Sequence, residues 1–197
     1  MAKVIFDMSM SLDGYMTASG ARPEEPMGDG GQQLHSWAVG AGDTRSAHVL
    51  AEMIRTVGAG IAGRRTYDMS VRWWGADGPS GPSRTPLIVV SHGKPKQVPK
   101  GGVYTFVQSP EEAVKQARAA AGDKDVDVMG ANVGQQLLRA GFVDEIHVHL
   151  VPVLFGGGAR LFENLGDDHI QLEAPQVIEG SMATHLRYRV VKRTARG

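Results

Sequence analysis

The chain has 197 residues, 42% of them hydrophobic, which is enough for one real core and excludes a wholly disordered chain. Lys plus Arg and Asp plus Glu number 21 each, so no charge excess recommends nucleic acid or an acidic membrane as partner. The absence of cysteine excludes disulfides, thiolate metal sites, thiol nucleophiles and iron–sulfur clusters.

No apolar run approaches the ~18–20 residues of a membrane span, and the N-terminal segment lacks the apolar stretch of a signal peptide, so a cytoplasmic soluble protein is expected. Val4, Ile5 and Phe6 open a first strand near 3–8, and a long irregular stretch then runs to about 43. Asp43 or Thr44 caps a helix whose Ala47, Leu50, Ala51 and Ile54 share one face, with Gly58 as its stop. A short strand fits 59–62, broken by Gly63-Arg64-Arg65-Thr66, and residues 68–86 read as loop. Leu87 to Val90 has the continuous apolar look of a strand buried on both faces, and Val103 to Val107 reads as another strand.

Ser109-Pro110-Glu111-Glu112 starts a helix with a capping box, and Gly122 ends it. A short strand at Val126–Met129 leads into Gly130-Ala131-Asn132-Val133-Gly134 and a helix ending by Gly141. Ile146, Val148 and Leu150 alternate with Glu145, His147 and His149 as in a half-buried strand. A strand near 174–179 turns at Gly180 into a final strand carrying Leu186, Tyr188 and Val190. About eight strands mixed with three or four helices, without internal repeat or linker, make a single α/β domain.

Four chemical-looking signals fail on context. Gly58 to Gly63 matches G-x-G-x-x-G, but a helix precedes it and a strand lies inside it, the reverse of a dinucleotide fingerprint. His147 and His149 point to one side of their strand without a third metal ligand, and read as an exposed or satisfied pair. Ser91-His92-Gly93-Lys94 fits S-x-x-K but lacks its companion motifs. Asp123, Asp125 and Asp127 lack the glycine and terminal glutamate of a calcium loop and read as a charged loop entering a strand.

Three breaks, at 63–66, 91–93 and 130–134, each follow an expected strand, and loops at strand carboxyl ends are where open α/β sheets bind ligands. Each offers something a phosphorylated ligand needs. Gly130 to Gly134 opens a helix whose N–H groups can face a pyrophosphate. Arg64 offers a planar fork and Thr66 a hydroxyl donor, while Ser91 and His92 add a hydroxyl and an imidazole.

Taken in order, Ser11-Leu12-Asp13-Gly14-Tyr15, Gly63-Arg64-Arg65-Thr66-Tyr67, Leu87 to Ser91, Met129-Gly130-Ala131-Asn132, Leu137 to Glu145 and Pro152 to Gly158 resemble the dihydrofolate reductase-like superfamily. Within it, the chain is most similar to stand-alone relatives of the reductase domain of the bifunctional riboflavin-biosynthesis deaminase–reductase. The resemblance runs almost the whole chain. It implies a central mixed sheet of about eight strands and NADPH as cofactor. Arg64 and Thr66, in the turn with Gly63 and Arg65, match positions that hold the adenosine-side phosphates. Ser91 and His92 match the turn near the ribose 2′-phosphate and adenine, and Gly130, Ala131, Asn132, Val133 and Gly134 match the pyrophosphate turn. Residues 11–17 match the loop near the nicotinamide, and residues 154–158 lie on a loop neighbouring it.

The resemblance departs at the proton source. Asp43 stands near the start of the helix that carries the catalytic carboxylate of dihydrofolate reductases, but its spacing to Gly63 is longer, and Glu52 lies within the same helix. The usual Trp-Pro element is missing, with Trp37-Ala38 in its place. Asp13 is the other candidate, either as a polar group near the nicotinamide or as a turn-capping aspartate before Gly14. The function implied is hydride transfer from NADPH to a C=N or C=O carbon of a small heterocyclic or sugar-derived substrate, with Trp37, Trp73 and Trp74 as candidates to cover it. Dihydrofolate reductase, a nucleotide-binding module without turnover and a Ser91 hydrolase are the alternatives. Relatives of this group are often dimers, so a homodimer is expected.

Overall fold

Strand-forming segments, scattered along the chain, close into one eight-stranded sheet. The structure, a computed structural model, describes residues 2–39, 43–95 and 97–192. The strands are β1 (Val4–Ser11), β2 (Val57–Gly63), β3 (Leu87–Val90), β4 (Tyr104–Val107), β5 (Asp125–Met129), β6 (Glu145–Val151), β7 (Gln176–Glu179) and β8 (Thr184–Arg189). Their spatial order is β4-β3-β2-β5-β1-β6-β8-β7. Every pair from β4 across to β6 is parallel, and β8 and β7 complete the edge antiparallel. The Gly180 turn joins β7 to β8 through a Gly180 N–H to Ala183 carbonyl bond of 2.9 Å.

The helices are α1 (Ser36–Val39), α2 (Thr44–Thr56), α3 (Arg64–Trp74), α4 (Pro110–Ala121) and α5 (Ala131–Arg139). One face of the sheet is covered by α4 and α5. Val4, Phe6, Ile61, Val126, Val128, Ile146 and Val148 meet Ala113, Val114, Ala117, Val133 and Leu137 there. Full burial of each large aliphatic chain contributes roughly 1.5–3 kcal/mol. The opposite face is divided. Tyr67 of α3 packs on Leu87 and Val89, and Leu34, Trp37 and Val49 of the α1–α2 region pack near Val151 and Ala183. β3 therefore buries Ile88 on one side and Leu87 and Val89 on the other, as a continuous apolar strand should.

Ser109 caps α4 by accepting the Glu112 N–H at 3.2 Å, but the Glu112 carboxylate accepts from Gln116 Nε2 at 3.1 Å. The expected capping box is therefore only half made. The stretch 68–86 is corrected from loop to helix as far as Trp74, because Tyr67, Val71 and Trp74 give α3 an apolar stripe to lay on β3 and β4. The long segment after β1 contains a 3-10 helix (Gly31–His35) and α1, and residues 40–42 of it lie outside the described residues. A β-carbon on Gly134 would stand 2.3 Å from the Phe6 ring. Only glycine lets α5 settle onto β1 this closely, which fixes the start of α5 at the carboxyl end of β5.

Candidate functional site

The carboxyl ends of β2, β3 and β5 open into a cleft of about 870 Å³. Gly63, Arg64, Arg65 and Thr66 line it from the β2–α3 junction, Ser91 and His92 from the end of β3, and Ala131, Asn132 and Val133 from the first turn of α5. Nine of the eleven cofactor residues expected from sequence thus surround one space, drawn from three separate strand ends. The other two act from behind the wall. Gly134 packs on Phe6, and Gly130 packs on Thr66.

Arg64 braces this wall. Its Nε sits 2.8 Å from both carboxylate oxygens of Asp68, and its Nη1 donates to Ser91 Oγ at 3.1 Å and to the Gly93 carbonyl at 2.9 Å. Ser91, buried, donates in turn to the Gly93 carbonyl at 2.5 Å. The guanidinium of α3 therefore fixes the turn after β3. Arg65 beside it is exposed and has no carboxylate partner among the described residues, which leaves its charge to the cleft.

The first N–H groups of α5 have weak partners. Gly130 N–H points at Met8 Sδ at 3.3 Å and Ala131 N–H at Met16 Sδ at 3.2 Å. A thioether is a poor acceptor, so these groups at the positive end of a helix are available to a stronger, anionic one. Met16, within the 11–17 loop expected near the nicotinamide, lines the cleft, as do Met27, Met69, Arg160 and Glu163, which no sequence signal singled out. Arg160 stacks its guanidinium 4.6 Å over the Tyr15 ring, a contact between two loops that no local pattern announces.

The two carboxylates proposed for catalysis do not line the cleft. Asp13 accepts from Ser11 Oγ at 2.6 Å, Phe155 N–H at 3.1 Å and Gly156 N–H at 2.7 Å. These bonds, that of Ser11 first, lower its pKa to about 2. Asp13 is thus the clasp between the loop after β1 and the 154–158 turn. Asp43 is the N-cap of α2, accepting from Arg45 and Ser46 N–H, Ser46 Oγ at 2.6 Å and Ser181 N–H at 2.7 Å. Its placement as a proton donor in the cleft is corrected: the carboxylate is committed to the helix end and the Gly180 turn.

The tryptophans cover nothing in the cleft either. Trp37 is buried against the sheet, Trp73 is exposed with its indole N–H on the Pro23 carbonyl at 2.9 Å, and Trp74 packs with Tyr67. Among the described residues Ser91 has no base as a hydrogen-bond partner, its partners being Arg64 and Gly93, which speaks against the hydrolase alternative. Among the described residues no His, Cys, Asp and Glu group could hold a metal. Among them, too, no helix is long and apolar enough to cross a membrane.

A mixed sheet in this strand order, with a cleft built from three strand ends and a helix N-terminus, defines the class as dihydrofolate reductase-like α/β. Residues 2–186 match the RibD C-terminal domain family, and the chain belongs to that family, the aminouracil reductase domain, an oxidoreductase family. No curated protein matches the chain. Among solved structures, a candidate riboflavin biosynthesis protein of Shewanella sp. PV-4 superposes with a TM-score of 0.70 at 23% identity, over 98% of this chain and 100% of that one. A pyrimidine reductase-like protein of Corynebacterium diphtheriae gives 0.61 at 17%, over 98% and 93%. A diaminohydroxyphosphoribosylaminopyrimidine deaminase/5-amino-6-(5-phosphoribosylamino)uracil reductase of Thermotoga maritima gives 0.60 at 12%, over 96% of this chain and 57% of that one. At these identities the likeness is one of fold.

Proposed function

We propose that the chain is an NADPH-dependent reductase that adds a hydride to a C=N or C=O carbon of a small heterocyclic or sugar-derived molecule of the 5-amino-6-(5-phosphoribosylamino)uracil kind. The observation that carries this reading is the convergence of 63–66, 91–93 and the first turn of α5 on one cleft. The residues present suit a dinucleotide phosphate. Among the described residues, two N–H groups at the start of α5 are held by thioether sulfur alone and Arg65 has no carboxylate partner, while Gly130 keeps the wall free of a side chain. Arg65, Thr66, His92 and the 131–133 turn would hold the coenzyme, with Arg64 and Ser91 shaping the turn they share. The coenzyme, when bound, supplies the hydride. The chain orients the reactants and excludes water, with the loop after β1 clasped by Asp13 as the edge of the site.

In this reading the chain works in the cytoplasm as a homodimer, for which exposed Leu12 and Leu154, on two segments joined by the Leu12 N–H to Val153 carbonyl bond, are the candidate apolar contact. The test is calorimetry with NADPH and NADH, followed by coenzyme oxidation with the aminouracil substrate and with dihydrofolate. Binding of NADPH with turnover of the aminouracil compound supports the reading. Turnover of dihydrofolate alone makes it a dihydrofolate reductase, and binding without turnover makes it a nucleotide-binding module.

A further inference from the structure

The sheet face under α2 is polar where the opposite face is apolar. Register places Ser9, His149 and His185 in one row across β1, β6 and β8, and Asp7, His147 and Arg187 in the next. Both His149 and His185 are buried. They form one hydrogen-bonded chain with their neighbours. Asp7 Oδ1 lies 2.8 Å from His149 Nε2, His149 Nδ1 lies 2.7 Å from His185 Nδ1, and His185 Nε2 lies 2.9 Å from Ser46 Oγ. Ser46 Oγ donates to Asp43 Oδ2 at 2.6 Å.

Proton counting along this chain has one consistent solution. The Asp43 carboxylate takes N–H donors on both oxygens, so it is ionised and the Ser46 proton belongs to it. Ser46 Oγ must then receive a proton from His185 Nε2. At the other end, Asp7 is ionised. Burial works against its charge, but His149 and the hydrogen bonds from His147 and His149 outweigh burial and hold it well below the usual range. His149 Nε2 must therefore donate to Asp7. The 2.7 Å contact between the two Nδ1 atoms needs one proton more. The two rings together carry three N–H protons and one positive charge.

We propose that His149 and His185 share one extra proton, and that this charged pair is a latch fastening the first turn of α2 and the Gly180 turn to the sheet. Trp37 supports the charge by laying its ring 4.1 Å from His149 and 5.0 Å from His185. The charged and titratable groups around the pair come from every neighbouring element. They are Asp7 from β1, Asp127 from β5, His147 from β6, Arg187 from β8, His35 from the 3-10 helix, and Asp43 from the start of α2. Burial first, then the His149 charge, lowers His185 to about 4, so a second proton enters only in acid. Two cations would then face each other at 2.7 Å, and the latch would open.

The test is nitrogen-edited NMR of the histidine-labelled protein with hydrogen exchange on the same sample. Expected near neutral pH are three ring N–H protons for the two residues, one of them far downfield. Exchange protection of the Ser46 and Ser181 amides should fall as pH drops through about 4, before the Asp43 carboxyl is protonated at about 2. Asp7→Asn, which removes the counter-charge, should leave two ring protons at neutral pH and lower protection at the same amides. Two ring protons in the wild type would overturn the shared charge. Three ring protons with amide protection indifferent to the pair's titration would overturn the latch. The wild-type titration decides the matter even where Asp7→Asn does not fold.

Discussion

Thr66 Oγ1 occupies the space where a β-carbon on Gly130 would have to sit, 2.4 Å away. Gly130 also holds φ at +102°, a conformation that side chains rarely tolerate. The start of α3 can therefore lie this close to the turn after β5 because residue 130 carries no side chain. Gly130→Ala should add roughly 1–3 kcal/mol of strain, a fall of about 2–4 °C in melting temperature per kcal/mol for a chain of this size. It should also weaken NADPH at least tenfold by pushing α5 away from α3. Thermal melts and calorimetry of the variant check both. A variant that melts lower yet binds NADPH normally would place the coenzyme elsewhere.

Arg64 and Arg65 are neighbours with different work. The Arg64 guanidinium is committed to Asp68, Ser91 and Gly93, so Arg64→Ala should free the turn after β3 and weaken NADPH and NADH by the same factor. The loss of charge-assisted bonds worth roughly 1.5–3 kcal/mol sets the scale at about tenfold or more. Arg65→Ala should weaken the phosphorylated coenzyme more than NADH. Affinities of both variants for both coenzymes give four numbers. A selective loss on Arg64→Ala would mean that Arg64, and not Arg65, grips the extra phosphate.

Most of the cleft wall was legible in the sequence because each part is local. A strand followed by Gly-Arg-Arg-Thr, by Ser-His-Gly or by Gly-Ala-Asn is read without knowing the fold, and all three met. The extent of α3 is not legible in the sequence because its Tyr67–Val71–Trp74 stripe is short and runs directly into the glycines and prolines after Trp74. The expectation for Asp43 failed for a related reason. A carboxylate at a helix start serves capping as readily as catalysis, and only the Ser181 and Ser46 contacts distinguish the two. The spacing of His147 and His149 predicts an exposed or satisfied pair. His149 is the satisfied kind, and its partners lie 142 and 36 residues away, on strands that no periodicity connects to it.

The clasp made by Asp13 gives a pH signature. Its pKa is lowered from 3.8 to about 2, so the clasp is fully formed above pH 4 and is lost as pH falls toward 2. Exchange protection of the Phe155 and Gly156 amides should follow that window in the wild type and be absent at every pH in Asp13→Ala. Asp13→Asn keeps one accepting oxygen. It should leave coenzyme affinity unchanged while slowing turnover, since it loosens the loop at the edge of the cleft and not the phosphate wall. Full turnover in Asp13→Asn would reduce the residue to a turn-former.

Asp127 gives the opposite sign. It lies on β5 beside Ile5 of β1 and Gly60 of β2, and its Oδ1 is buried without a hydrogen-bond partner among the described residues. Burial, and then the negative charge of Asp7, raise its pKa well above the ordinary 3.8. The folded chain thus keeps a proton that the unfolded chain releases above about pH 4. Stability supported by that proton is present below this pH and is lost as pH rises toward the raised value. Asp127→Asn is neutral throughout, so its advantage over the wild type should grow with pH across the window. Urea melts at pH 4 and pH 8 measure it. The midpoints should nearly coincide at pH 4, and the variant should be the more stable at pH 8. An equal offset at both pH values would show that the substitution acts through packing and that Asp127 is ionised in the folded chain.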